Sequence, residues 1–172
     1  MPAVSRGKIL IVSLCAALVL AVAGCGSSSD DSSSTQSAST EAKGGGATDL
    51  NEKPKVTVPS GAAPKKLEEK EIVEGSGAEA KAGDKVTVQY VGVGYDSKEE
   101  FDSSWSRNEP FSFTLGGGEV ITGWDKGVAG MKVGGRRELI IPPGMAYGPA
   151  GSPPVIGPNE TLIFVIDLLA VH

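Results

Sequence analysis

Five short stretches between residues 67 and 171 alternate apolar and polar side chains, and this pattern binds the second half of the chain to a sheet with one buried face. They are residues 67–74, 85–93, 111–115, 136–141 and 161–171. Alternation has the two-residue period of a pleated strand, whose successive side chains point to opposite faces. In the second stretch Val86, Val88 and Tyr90 share one face, and Thr87, Gln89 and Val91 share the other. The fifth is apolar enough to lie centrally. A mostly antiparallel sheet is expected. One short helix is predicted at 122–129, with Thr122 capping free N–H groups, Asp125 in the first turns and Gly130 ending it in a left-handed conformation. Trp124 and Val128, four apart, share the face turned to the sheet. Residues 142–159 hold six prolines and four glycines and read as a long, kinked loop, a length usually tied to function. About 108 residues from Lys65 to His172 suffice for one core.

The first third has a different texture. Arg6 and Lys8 precede an uninterrupted weakly polar to apolar run at 9–23, too short for a spanning helix and suited to a secretory signal. It ends in Val22-Ala23-Gly24-Cys25, which resembles a bacterial lipobox. That resemblance implies a lipoprotein signal peptide at 1–24, and acylation of Cys25 with diacylglyceryl and palmitate chains. Otherwise Cys25 would be an ordinary buried or disulfide-bonded cysteine. Cys15 lies in the segment to be removed, which leaves no partner for an internal disulfide. Two or three acyl chains would anchor stably where one would not. Residues 26–64 are Ser, Thr, Gly, Ala and scattered charges, and are expected to form a disordered tether. As a Gly/Ser-like chain it would span roughly 35 Å on a root-mean-square basis.

Sixteen basic and 21 acidic residues give a net charge of −5, and no basic block exceeds Lys65-Lys66 or Arg136-Arg137. Nucleic acid is therefore an unsuitable partner, and both pairs are expected at solvated positions. The single histidine, His172, is the last residue, so Ser-His-Asp and Cys-His arrangements are disfavoured. No cluster has metal-ligand spacing, and no cofactor is implied. Gly116-Gly117-Gly118 lacks the lysine of a phosphate loop and is expected to be a flexible turn. What remains is chemistry by an apolar cavity. Rotation about an amide bond needs no nucleophile, metal or proton transfer, and its barrier is about 18–20 kcal/mol.

The words FDSSW, NEPFSFTLGGGEVITGWDKGVAGM and PPGMAYG set Phe101, Phe111, Phe113, Trp124 and Tyr147 at wide intervals. From about Val86 to Leu169 they closely resemble the FKBP-type peptidyl-prolyl cis-trans isomerases. The resemblance implies an α+β fold, a curled antiparallel sheet wrapped around one short helix. It puts Trp124 at the floor of a proline pocket, and Tyr90, Phe101, Phe111, Val120, Ile121, Ile156 and Phe164 in its walls. Tyr147 would donate its hydroxyl to a substrate carbonyl and the Ile121 N–H would hold another. Asp102 would lie at the pocket edge, paired with Arg107 and acting by orientation and local field. Implied partners are proline-containing exported polypeptides and macrolide immunosuppressants. The expected place is outside the cytoplasm, lipid-anchored to the bacterial cell membrane, as a monomer.

Taken singly, the wall residues would pass for core, as Phe113, Leu139, Ile141 and Leu162 do. Asp102 could be a turn or capping residue, and Tyr147 a buried tyrosine with a satisfied hydroxyl. Three features depart from the family's small members: the loop between Tyr90 and Phe101 is one residue longer, Trp105 replaces a polar residue, and Gly157 replaces a proline. Trp105 either enlarges an apolar rim or packs under its own loop. The alternative function is a chaperone or binding module that uses the same pocket with little catalysis.

Overall fold

The computed structural model describes residues 49–172. Six strands form one antiparallel sheet: β1 (Glu68–Val73), β2 (Lys85–Gly94), β3 (Glu100–Ser103), β4 (Phe111–Thr114), β5 (Arg136–Ile141) and β6 (Leu162–Val171). The order is β1-β5-β6-β2-β3, with β4 also on β2. β6 lies centrally between β5 and β2, as its apolar composition requires. The edge of β2 is divided, since β4 pairs with Lys85 to Val88 and β3 with Val91 to Val93. Cross-strand pairs such as Leu139 with Phe164 and Ile141 with Leu162 put one apolar set on the concave face. There α2 (Thr122–Gly127) presses Trp124 into Val88, Tyr90, Phe164 and Ile166. The register of β6 against β2 skips at Leu169, and that extra residue turns out to 38% exposure.

Five expectations need correction, the last of them the arginine pair. β3 escaped the alternation because it is only four residues long and carries a bulge. Beside α2 stands a one-turn helix, α1 (Ser104–Arg107), and two 3-10 turns, Pro143–Met145 and Gly148–Ala150, interrupt the long loop. Thr122 is the first helical residue rather than the cap; Ile121, in extended conformation, holds the cap position without a side-chain bond. The helix also ends earlier, at Gly127, while Gly130 takes the expected positive φ of 79°.

The fourth correction concerns the tether. Its end lies on the sheet: Pro54 is buried, and Val56, Val58 and Ala63 pack against Tyr95, Ile140 and Ile163 on the outer face. The expected domain start at Lys65 leaves out this segment. It forms no strand, and Lys55 and Thr57 between the apolar residues dilute its hydropathy. The cover explains why β2 is buried on both faces from Tyr90 to Gly94. The expected signal at 1–24, Cys25 and the tether as far as residue 48 lie outside the described residues.

Neither residue of the arginine pair is solvated. Arg136 is fully buried and grips Asp167 of β6 through Nε to Oδ1 at 2.5 Å and Nη2 to Oδ2 at 2.7 Å. Arg137 donates to the carbonyls of Gly127 at 2.8 Å and Ala129 at 3.2 Å, satisfying orphan acceptors at the end of α2, and to Glu71 at 2.7 Å.

α2 can lie this close only because two of its residues lack side chains. A Cβ on Gly123 would stand 2.4 Å from Ile141 Cγ2, and one on Gly127 would stand 2.6 Å from Leu139 Cδ1. Glycine is a poor helix former, so contact rather than propensity explains both positions. Gly123→Ala should therefore destabilise the fold by about 1–3 kcal/mol despite its better propensity, read as a lower urea midpoint at unchanged slope.

Candidate active site

Aromatic rings meet edge to face around a cavity of about 370 Å³ on the concave face. Trp124 forms its floor. Its ring centroid is 5.0 Å from Tyr90 and 5.1 Å from Phe164, with interplanar angles of 80° and 87°. Phe101 stands against Phe164 at 5.5 Å and 88°, and Phe111 stands 6.2 Å from Trp124. Such geometry sets positive ring edges against negative faces and leaves little freedom to collapse inward. Val120 and Ile121, just before α2, close another side, and Tyr147 stands at the mouth, 42% exposed.

Two backbone devices allow this. Phe101 and Asp102 are consecutive, yet both line the cavity, which a regular strand would forbid. Asp102 pairs with Gly92 and Glu100 with Val93, so Phe101 is the extra residue of a bulge and is re-aimed by it. Gly92 is bare for the same reason: a Cβ there would lie 2.7 Å from the Phe101 ring and 2.8 Å from the Phe164 ring.

The polar edge is a three-membered cluster. The Tyr90 hydroxyl donates to Asp102 Oδ2 at 2.5 Å, Arg107 Nη1 donates to Asp102 Oδ1, and Arg107 Nη2 donates to the Tyr90 oxygen at 2.8 Å. The guanidinium carbon also stands 5.8 Å from the centre of the Tyr90 ring. Burial pushes the Asp102 carboxyl up, but the bonds from Tyr90 and Arg107 and the guanidinium charge outweigh it and hold the group below the usual carboxylate range. Burial and the Asp102 carboxylate push the Tyr90 phenol up. The bonds to Tyr90 and Asp102 raise the Arg107 guanidinium further. The cluster thus presents a fixed ion pair and a neutral phenol at neutral pH.

Ser104 ties these parts together. Its buried hydroxyl accepts from the Tyr90 N–H at 2.8 Å and donates to Gln89 Oε1, in the gap between β4 and β3 where that N–H has no strand partner.

Residues 77–169 match the family of FKBP-type peptidyl-prolyl cis-trans isomerases. Over 121 residues the chain is 58% identical to an FK506-binding protein of Streptomyces anulatus, covering 70% of this chain and 98% of that one. The chain belongs to the FKBP-type isomerase family. It is also 55% identical over 92 residues to the peptidyl-prolyl cis-trans isomerase Fkbp12 of Drosophila melanogaster, covering 54% of this chain and 84% of that one. Among solved structures it is similar to FkpA from Escherichia coli, with 46% identity and a TM-score of 0.56, over 62% of this chain and 48% of that chain.

Of the residues that an FKBP-type pocket implies, the fold gathers Tyr90, Phe101, Asp102, Phe111, Val120, Ile121, Trp124, Tyr147 and Phe164 around one cavity. Ile156 is the exception. It is 4% exposed, belongs to the same core cluster as Tyr90, Trp124 and Phe164 without being among the residues that line the cavity, and is bonded through its backbone to Ser152. Glu119 was missed: it lines the cavity, and its carboxylate accepts the Thr114 N–H at 3.2 Å. Its place directly before Val120 and Ile121 was the available signal. Tyr147 is no buried tyrosine, and its hydroxyl has no partner among the described residues. Trp105 is half-buried on α1 and outside the lining. The glycine run is occupied too, since Asp125 accepts the N–H groups of Gly116 at 2.8 Å and Gly118 at 3.2 Å, where an anion would have to sit.

The sign of the Asp102 shift sets a pH dependence. A carboxyl depressed in the folded state stabilises above its unfolded value, about 4, and loses that contribution as pH falls through the folded value. The stability difference between wild type and Asp102→Asn should stay constant from about pH 5 to 8 and shrink below about pH 4, measured by urea unfolding. A difference that changes between pH 6 and 8 would contradict the assignment.

Proposed function

We propose that this chain accelerates cis-trans exchange of X-Pro bonds in exported polypeptides by holding the twisted amide in the aromatic cavity. The single observation that carries this is the cavity itself: six aromatic side chains around about 370 Å³, with one fixed ion pair at the edge. A planar amide is stabilised by charge separation between oxygen and nitrogen, and that separation is lost on twisting. Low-polarity walls therefore favour the twisted form over the planar one, which is differential binding of the transition state. Trp124 receives the proline ring, and Phe101, Phe111 and Phe164 exclude water around it. Tyr147 and the N–H of Ile121 hold flanking carbonyls and keep the peptide in register. Asp102, kept ionised by Arg107 and Tyr90, orients the twisting carbonyl by its field and transfers no proton. Removing about 6 kcal/mol from the barrier would raise the rate roughly 10⁴-fold. FK506-type macrolides would compete for the same cavity.

The test is exchange of a Leu-Pro or Phe-Pro peptide, with wild type against Asp102→Ala and Tyr147→Phe. Acceleration that the macrolide abolishes and both variants weaken, by about tenfold or more for Asp102→Ala, is the expected result. No acceleration by the folded chain rules the proposal out.

The chain is also proposed to act as a monomer outside the cytoplasm, tethered through acylated Cys25 after removal of residues 1–24. The arrangement of Arg6, Lys8, the apolar run and Val22-Ala23-Gly24-Cys25 supports this. Cys25→Ala should abolish incorporation of labelled palmitate and shift the protein from the membrane to the soluble fraction. Unchanged labelling would defeat the anchor.

A further inference from the structure

The segment before β1 crosses the outer face of the sheet as a strap, and one of its side chains reaches the elements that carry the cavity edge. The Glu52 carbonyl accepts from Arg136 Nη2 at 3.0 Å, Pro54 is buried, and Val56 and Val58 rest on the outer apolar cluster. Between the first two of these holds, Lys53 Nζ donates to Glu100 Oε1 at 2.8 Å and to Ser106 Oγ at 3.1 Å. Ser106 Oγ donates in turn to Glu100 Oε1 at 3.4 Å. Glu100 opens β3 and Ser106 lies in α1. Phe101 and Asp102 lie between them in the chain, and Arg107 follows directly.

That stretch needs an outside hold. β3 is four residues long, pairs with β2 at three positions and is bulged at Phe101, while α1 is a single turn. Short, interrupted elements of this kind open locally at low cost. Lys53 clips the two ends of the stretch together from a backbone already fixed by Glu52 and Pro54, so the clip immobilises little beyond its own side chain. A cavity of about 390 Å³ lies between the strap at Lys53, Pro54, Val56 and Val58 and the sheet residues Val91, Val93 and Glu100.

We propose that Lys53 is a positioning residue of the isomerase site, acting through Glu100 and Ser106 on Phe101, Asp102 and Arg107. Its effect on rate rests on the proposed function, whereas its hold on β3 and α1 does not. The likeness to the Streptomyces protein takes in the strap: 121 matched residues exceed the 108 from Lys65 to His172, so the match begins no later than residue 52.

The experiment uses the full chain carrying Lys53→Met, Lys53→Arg or Lys55→Met, each with and without Asp102→Ala. Lys55 is exposed on the same strap and contributes no bond to β3 or α1 among the described residues. Amide hydrogen exchange at Ser103, whose N–H donates to Asp102 Oδ1, and at Ser106, whose N–H donates to the capping Ser103 Oγ, reads the hold directly. Lys53→Met should speed exchange at both by about threefold or more, with the β2–β6 ladder unchanged, and lower kcat/KM by a similar factor. Lys53→Arg should restore both, and Lys55→Met should change neither. In the Asp102→Ala background the further loss of kcat/KM should be smaller, since only the placement of Phe101 still depends on the clip, whereas a general loss of structure would repeat it in full. Exchange at Ser103 and Ser106 that Lys53→Met leaves unchanged overturns the proposal, as does an equal rate loss in both backgrounds. Faster exchange in a chain whose wild type accelerates no X-Pro peptide upholds the positioning and sinks the functional reading alone.

Discussion

The divided edge of β2 is the constraint on which the rest of the site depends. Nine residues of one strand meet β6 along one side, but two separate short strands share the other. Gln89 and Tyr90 fall in the gap, where a main-chain N–H would be left without a partner and where the sheet opens. Ser104 fills the first need, and because it also starts α1 it brings Arg107 round to Tyr90. The second need becomes the cavity, floored by α2 from the concave side. One missing rung in the ladder thus sets the position of Tyr90, the ion pair and the opening together.

The electrostatics follow from the same geometry. Both carboxylates that line the cavity are tied up, Asp102 by Arg107 and Tyr90 and Glu119 by the Thr114 N–H, and Asp125 of α2 is held by the glycine turn. A carboxylate held by a guanidinium and a phenol is a poor base, because protonating it would break two charge-assisted bonds. What it offers is a dipole of fixed direction. A site organised in this way suits a reaction whose transition state differs from its ground state in polarity rather than in protonation.

The sheet was legible because apolar and polar residues alternate along β1, β2, β4, β5 and β6, even over the four residues of β4. β3 was not, because a bulge within four residues erases the period while creating the placement of Phe101. Residues such as Trp124, Phe164 and Tyr90 were found through the resemblance and not through chemistry, since each alone is indistinguishable from core. Ile156 shows the limit of that route: an apolar residue in the right word can join the core cluster without lining the cavity. Gly92, Gly123 and Gly127 carried a readable signal, as glycine inside a strand or helix marks close approach, but what approaches is tertiary information. The strap was hidden because Pro54, Val56 and Val58 sit in a polar stretch, and the burial of the two valines is decided by a face of the sheet, with Tyr95, Ile140 and Ile163, that is distant in the chain.

That outer face presents a problem which the strap resolves. Arg136 and Asp167 are directly opposed on β5 and β6, and both point away from the aromatic core. Left open, they would be an ordinary exposed pair worth little; covered, they cost the desolvation of two charges, which an apolar pair would avoid. The ion pair does what an apolar pair could not. Its fork fixes β5 against β6 at one register, since a slip by one residue would carry Arg136 off Asp167 and leave both charges buried and unpaired. With one guanidinium nitrogen it also takes the Glu52 carbonyl and so fixes where the strap begins to cross. From that point the chain has one residue in which to reach the Glu100 and Ser106 side chains, and Lys53 is that residue. The charges on the back of the sheet therefore set the register of the segment that holds the front edge of the cavity.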